Sequence, residues 1–338
     1  MMQESIAKAA AQIDLTAGEA ASAMHMMMTG GATDAQIGAF LTAMSMKGET
    51  TAEIAACARV LREHAASIHP QVAGTLVDTC GTGGDMRGTF NISTTAAFVA
   101  AGAGVPVVKH GNRGVSSKCG SADLLEKLGV CLSIPAERTC RIIEETGIGF
   151  LYAPLHHPAM KTLAGPRREI GTRSLFNIIG PLANPAGAEA QLVGVYRPEL
   201  TETVAEALKM LGTERAMVVH GDGLDEITTT GTTRVSELKN GTIEHYEIQC
   251  RDFGIPKADP AMLRGGDAEQ NAAIFRHVLR GDEGPARDIV LMNAGAAICI
   301  GGEADSLEKG IRRAEDAIDS GRARKKLASL ITMTGETP

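Results

Sequence analysis

The sequence predicts an α/β fold: a small N-terminal helical domain, then a larger domain with a mostly parallel sheet flanked by helices. Three observations carry this. Over roughly the first 70 residues, three capping-box signals each precede apolar residues at helical spacing. Beyond Pro70, apolar runs of strand length alternate with helical segments. The first of those runs, Thr75-Leu76-Val77, passes through a glycine-rich turn into an alanine-rich helix. Sheets of this kind bind ligands beyond the carboxyl ends of their strands.

Residues 1–70 read as four helices. Thr16-x-x-Glu19, Thr33-x-x-Gln36 and Thr50-x-x-Glu53 mark three starts, and Gly30-Gly31 and Gly48 separate the segments. Met24, Met26, Met27 and Met28 fit either a soft binding face or core and subunit-contact positions; core is the expectation, because Met fills irregular gaps. The sheet domain then opens with a strand over Thr75–Thr79, a helix over Ser93–Ala103 and a strand over Val105–Val108. Helices follow at Ser121–Leu128 and Ala136–Thr146, with a strand at Ile148–Tyr152. Residues 153–190 read as irregular, with one helix near Ala159–Leu163. Gln191–Val195 and Ala216–Val219 are strands around a helix at Glu199–Leu211. Thr228–Leu238 and Thr242–Ile248 form a hairpin turning at Asn240-Gly241. Helices at Ala268–Leu279, Ala286–Cys299 and Leu307–Leu330 close the chain. The expected division is a helical domain over 1–70, joined by helices from about 157–185, and an α/β domain over 71–338.

Composition narrows the partners. The 338 residues are 44% hydrophobic but only 3% aromatic, so aliphatic side chains must fill the core. A net charge of -7 speaks against nucleic acid. No apolar stretch is long enough for a membrane span, and the acidic N-terminus does not read as a secretory signal. The seven cysteines are scattered without metal-ligand spacing, as expected of reduced thiols in a cytoplasmic protein.

Four clusters carry the chemistry. The first is Val77-Asp78-Thr79-Cys80-Gly81-Thr82-Gly83-Gly84-Asp85, closed by Asn91-Ile92-Ser93-Thr94-Thr95. Glycines let backbone approach a ligand, and the free N–H groups of a helix start favour an anion. Gly83 and Gly88 have the spacing of a nucleotide P-loop, but Thr89 stands where its lysine belongs. A tight structural turn fits the glycines alone equally well. The second cluster runs from Lys109 to Ser121 and packs two lysines, His110, Arg113, glycines and serines into one post-strand loop, a set suited to phosphate oxygens. The third, Gly221-Asp222-Gly223-Leu224-Asp225-Glu226, reads either as an acidic turn or as carboxylate ligands for Mg²⁺. The fourth pairs Arg167-Arg168 with the Gly180-Pro181 wall, fitting an aromatic carboxylate or a plain surface arginine pair.

Taken together, Cys80–Asp85, Asn91–Thr94, Lys109–Arg113, Asn177–Leu182 and Gly223–Glu226 resemble the anthranilate phosphoribosyltransferase family, in motif and in motif order across almost the whole chain. The resemblance implies a nucleoside phosphorylase/phosphoribosyltransferase-like fold and a homodimer. It implies transfer of the phosphoribosyl group of 5-phosphoribosyl 1-pyrophosphate to anthranilate, in tryptophan biosynthesis. By that resemblance the donor is held by Gly81, Gly84, Asp85, Thr89, Asn91, Ile92, Ser93, Thr94, Lys109, His110, Gly111, Asn112, Arg113, Gly114, Val115, Ser116, Ser117 and Ser121. Mg²⁺ falls to Ser93, Asp225 and Glu226, and anthranilate to Gly81, Asn112 and Arg167, with His110 and Pro181 along its path. Asn112 and Arg167 act by positioning, and no covalent catalyst is implied. Cys119 stands where the family usually has serine, and Gly114 where it commonly has a larger residue. A pyrimidine nucleoside phosphorylase-like enzyme is the nearest alternative.

Overall fold

The computed structural model describes residues 2–114 and 117–335; Val115 and Ser116 of the basic loop lie outside the described residues. Four helices come first: α1 (Met2–Ala10), α2 (Ala17–Met28), α3 (Asp34–Lys47) and α4 (Thr51–Glu63). All three capping boxes form, the Thr hydroxyl accepting from the N3 amide while the N3 side chain accepts from the Thr amide. Met24 and Met27 are fully buried beside Phe40, Leu41 and Met44, so these methionines are core. The same core takes in Leu163, Leu175, Phe176 and Leu182 from the segment after the third strand.

The third box does more than cap. The Glu53 side chain is 0% exposed and Lys47 3% exposed, joined at 2.9 Å. The Glu53 carboxylate also accepts from the Leu15 and Thr50 amides, each at 2.8 Å. Lys47 keeps Asp14 at 2.7 Å, so Glu53→Ala strands chiefly the two amide donors and should cost about 2–3 kcal/mol in denaturant unfolding.

The larger part is built on one seven-stranded sheet: β1 (Val77–Gly81), β2 (Val107–Gly111), β3 (Ile148–Tyr152), β4 (Ala190–Gly194), β5 (Arg215–Gly221), β6 (Thr232–Lys239) and β7 (Thr242–Gln249). Its order is β3-β2-β1-β4-β5-β6-β7. The first five strands are parallel, while β6 pairs antiparallel with β5 and β7 antiparallel with β6. The chain moves outward from β1 to β2 and β3, then returns to the other side of β1 as β4, so the order reverses between β1 and β4 and opens a crevice at their carboxyl ends. Residues alternate between faces: Leu192 and Met217 enter one core, Val193 and Val218 the other.

Several expectations are corrected. β1 and β2 run on to Gly81 and Gly111, because parallel pairing carries these glycines opposite Gly194 and Tyr152. Segment 153–190 is not mostly irregular: it holds helices Ala153–His156, Ala164–Ile170 and Leu175–Ile179 and a 3-10 turn at Pro158–Lys161. Its prolines read as breakers, yet Pro154 and Pro158 occupy first turns, where no N–H is needed. The expected helix over Leu307–Leu330 is two, Leu307–Asp319 and Arg322–Gly335, parted at Gly321 with φ 73°. The first hairpin strand starts at Thr232, since Thr228–Thr230 form a buried turn with their hydroxyls 2.9 Å apart. Asn240 and Gly241 both take positive φ, as the two-residue turn requires. No described helix is long and apolar enough to cross a membrane.

Candidate active site

The site gathers at the carboxyl ends of β1, β2, β4 and β5. After β1, the Thr82 N–H donates to the Gly194 carbonyl at 2.9 Å, and the Thr82 hydroxyl accepts from the Tyr196 N–H at 3.1 Å. The chain then turns through Gly83 and Gly84, at φ 67° and 76°. Gly83 N–H donates to Asp225 Oδ2 at 2.7 Å, joining the glycine loop to the acidic loop after β5. The join leaves no room. A Cβ on Gly81 would lie 2.4 Å from Asp225 Oδ2, and one on Gly194 1.6 Å from the Asp225 carbonyl oxygen. Gly194→Ala must therefore push the acidic loop away from the glycine loop. Displacements of about 1 Å cost about 100-fold, so kcat/KM should fall by that order, with both KM and kcat affected.

Helix α5 (Ile92–Gly102) opens above β1. Ser93 N–H donates to Glu226 Oε1 at 3.1 Å, and Ser93 Oγ accepts from Lys109 Nζ at 3.2 Å. Lys109 also donates to the Thr79 carbonyl and is 5% exposed. Ser93 thus bridges a buried cation and a carboxylate. Ile92 and Thr94 turn their side chains into the protein, leaving only backbone toward a ligand. The Asn91 carboxamide is engaged inside, with Oδ1 accepting from Asn271 at 2.9 Å and Nδ2 donating to the Cys119 carbonyl at 3.2 Å. Thr89 pairs with Arg264 in an isolated bridge.

In the basic loop, Arg113 is tied to Asp123 at 3.0 Å and Glu126 at 2.8 Å, so its charge is already matched at the surface. The Gly114 and Gly120 amides donate to Asp123 Oδ2 at 2.8 and 2.9 Å, and Ser121 Oγ donates to the Asn112 carbonyl at 3.3 Å. Ser117 donates to the Cys119 carbonyl. Cys119 is buried, its thiol 3.5 Å from Asn91 Oδ1, so the thiol serves the packing of the helix start. A Cβ on Gly114 would meet the Ser117 carbonyl at 2.6 Å, which accounts for glycine there.

The acidic group is electrostatically uneasy. Burial raises the Asp225 carboxyl, and the nearby Asp85 charge raises it further. Burial, then Asp225, raises Glu226, with Lys109 opposing. Asp85 Oδ2 is buried without a hydrogen-bond partner.

On the opposite side, the His110 N–H donates to Asp78 Oδ1 at 3.2 Å, and its ring lies 5.0 Å from that of His157. Burial lowers both imidazoles, His157 to about 4, so both are neutral at physiological pH. His110 Nε2 and both His157 ring nitrogens are buried and unpartnered. The Pro181 carbonyl accepts from Gln191 at 3.0 Å. Arg167 stacks over Phe176 at 4.9 Å, and burial lowers its pKa. No hydrogen bond joins Arg167 to Asn112 among the described residues; the first three clusters are directly linked, and the fourth meets the first where the Cys80 thiol donates to the Pro181 carbonyl at 3.8 Å.

The sequence reading missed His157, Arg173, Gly194 and Tyr196, and gave Asp78, inside its first cluster, no role. His157 and Arg173 sit in the segment read as irregular. The other three lie in or just after strands, where only the register shows which residues face the loops.

The sheet half matches the profile described as glycosyl transferase family, a/b domain over residues 73–324, and the first helices match its helical bundle domain over residues 3–65. An anthranilate phosphoribosyltransferase of Methanocorpusculum labreanum is 61% identical over 99% of this chain and 98% of its own length. The chain belongs to the anthranilate phosphoribosyltransferase family. The crystal structure of the anthranilate phosphoribosyltransferase of Thermus thermophilus has a TM-score of 0.93 at 43% identity, covering 98% of this chain and 99% of that one. The anthranilate phosphoribosyltransferase of Saccharomyces cerevisiae, solved in complex with PRPP and Mg, has a TM-score of 0.88 at 26% identity, covering 98% and 97%. The family's two-part architecture is the one observed here.

Proposed function

We propose that this chain transfers the phosphoribosyl group of 5-phosphoribosyl 1-pyrophosphate to the amine of anthranilate, releasing pyrophosphate, in tryptophan biosynthesis. One observation carries the reading. Gly83 with Asp225, and Lys109 with Ser93 and Glu226, converge at the reversal of strand order, joined by hydrogen bonds of 2.7–3.2 Å. Backbone amides, a buried cation and carboxylates in one crevice suit a sugar polyphosphate bound with a metal. The family's curated relatives act as named, which favours this reading over a nucleoside phosphorylase.

Mg²⁺ fits the residues present. The raised Asp225 and Glu226 carboxyls and the orphaned Asp85 oxygen form a buried acidic cluster whose ionisation a nearby positive charge would favour. Among the described residues no group of three or more His, Cys, Asp or Glu side chains could hold a metal ion by itself, so the chain would supply only part of the ligand shell. That suits a cation that keeps waters and takes phosphate oxygens as remaining ligands. Asp225, Glu226 and Ser93 would hold it. When bound, Mg²⁺ supplies positive charge to the departing pyrophosphate.

The chain's own groups do the rest. The Gly81–Asp85 backbone, Asn91–Thr94, Lys109 and the loop through Ser121, Val115 and Ser116 included, hold the donor. Arg167 and Asn112 orient the anthranilate carboxylate so that its neutral amine faces the anomeric carbon. A C–N bond forms as the C–O bond to pyrophosphate breaks, and the amine proton leaves to solvent or to the released pyrophosphate. The neutral imidazoles of His110 and His157 line the acceptor path without adding charge. Catalysis is positioning plus charge compensation.

The helical unit 1–70 with 157–185, and the sheet unit formed by the rest of 71–338, are read as two domains; the first four helices share a core with Leu163, Leu175 and Phe176, and that core continues onto the sheet face of Val193 and Val218. Dimerisation through the helical unit and a cytoplasmic location complete the reading, supported by exposed Met46 and seven free cysteines. The test is direct: anthranilate fluorescence should disappear only when phosphoribosyl pyrophosphate and Mg²⁺ are both added. Persistent fluorescence, or turnover of a pyrimidine nucleoside with phosphate instead, would overturn the proposal.

A further inference from the structure

Arg173 belongs to none of the sequence clusters, yet it reaches the glycine loop. It lies between the helices Ala164–Ile170 and Leu175–Ile179. Its guanidinium stacks over the Tyr196 ring at 4.3 Å, and Arg197 lies over the same ring at 5.1 Å. The Tyr196 N–H in turn holds the Thr82 hydroxyl at 3.1 Å. An added Cβ on Gly84 would meet Arg173 Nε at 2.8 Å and Nη2 at 3.2 Å, so the guanidinium lies directly against the Gly84 backbone. Gly84, at φ 76°, is the residue that permits this approach. The Arg173 carbonyl accepts from Ser45 Oγ of α3 at 3.4 Å, which ties its backbone to the helical unit.

The donors of this arginine are unspent. A guanidinium carries five N–H groups. Among the described residues no carboxylate or carbonyl accepts from the Arg173 side chain, whereas Arg113 is matched by Asp123 and Glu126, and Arg87 donates to the Asp222 carbonyl. The tyrosine ring fixes the plane of the group without consuming its hydrogen bonds. A half-buried cation, oriented by an aromatic face and pressed against a polyphosphate loop, lacks only an anion.

We propose that Arg173 is a donor-binding residue: its guanidinium, presented by Tyr196 beside Gly84, takes the pyrophosphate oxygens of the phosphoribosyl donor. This rests on the proposed function. It assigns to the segment 153–185 a share of both substrates, Arg167 for the aromatic acid and Arg173 for the polyphosphate.

The test is steady-state kinetics on Arg173→Met and Arg173→Lys, with product inhibition by inorganic pyrophosphate measured alongside. Losing a charge-assisted contact should raise KM for the donor about tenfold or more in Arg173→Met. The pyrophosphate inhibition constant should weaken in parallel, and KM for anthranilate should stay within about twofold. Arg173→Lys should recover part of the loss, since it restores the charge but not the planar fork. A donor KM and a pyrophosphate constant both unchanged in Arg173→Met, or equal rises in both substrate KM values, would overturn the assignment while the wild-type activity stands. An inactive wild type would instead overturn the function on which it rests. A purely structural role for Arg173 predicts a lowered melting temperature and a general fall in kcat without the split between substrates, and that result too would overturn it.

Discussion

Asp225→Asn combined with Glu226→Gln should abolish Mg²⁺-dependent turnover, lowering kcat by about a thousandfold or more. The substitutions preserve shape and the principal hydrogen bonds. An amide oxygen at 225 can still accept from the Gly83 N–H, now 2.7 Å from Asp225, and one at 226 from the Ser93 N–H, now 3.1 Å from Glu226. What is lost is charge. In the folded protein that charge is costly, because burial raises both carboxyls and neighbouring acids raise them further. The double variant should therefore melt at an equal or higher temperature while losing activity. This opposition separates a metal-site role from a packing role. Unaltered Mg²⁺ dependence in the folded variant would remove both residues from the metal site.

Arg167→Ala should raise KM for anthranilate by about a hundredfold while leaving the donor KM within about twofold. Arg167 is half-buried, stacked over Phe176, and bonded to no carboxylate among the described residues. Its desolvation is uncompensated until an anionic partner arrives, and the planar aromatic acid supplies one. The effect falls on the acceptor because Arg167 lies in the helix Ala164–Ile170, apart from the linked loops that hold the donor. A matched rise in both KM values would defeat the assignment. Set against Arg173→Met, the two variants make opposite splits between the substrates from positions six residues apart.

The helical entry of the chain was legible because capping is local: a threonine three residues before Glu or Gln closes a box with no help from the rest of the fold. The sheet was legible as an alternation of elements. Its strand ends were not, because pairing with Gly194 and Tyr152 carries Gly81 and Gly111 into the ladder although both look like loop residues. The glycine, basic and acidic loops were readable as clusters because each is dense in one stretch. Their union was not, since Gly83 and Asp225 lie 142 positions apart yet share a hydrogen bond. Arg113 shows what a cluster leaves out. It looks like a free cation in sequence, but it is paired at the surface with Asp123 and Glu126 on the following helix. Arg173 escaped notice because its importance depends on Tyr196, a residue of a different strand end.

The contact of Gly194 with the Asp225 carbonyl, where a Cβ would sit 1.6 Å away, bears on how this scaffold can be re-engineered. The end of β4 and the acidic loop meet there with space for hydrogen alone, so neither can be redecorated without dragging the other. Among the described residues, the glycines of the helical stretch between 153 and 179 make no such close approach to the acidic loop. Attempts to broaden the range of aromatic amines should begin with library diversity in that stretch and leave the Gly194 contact untouched.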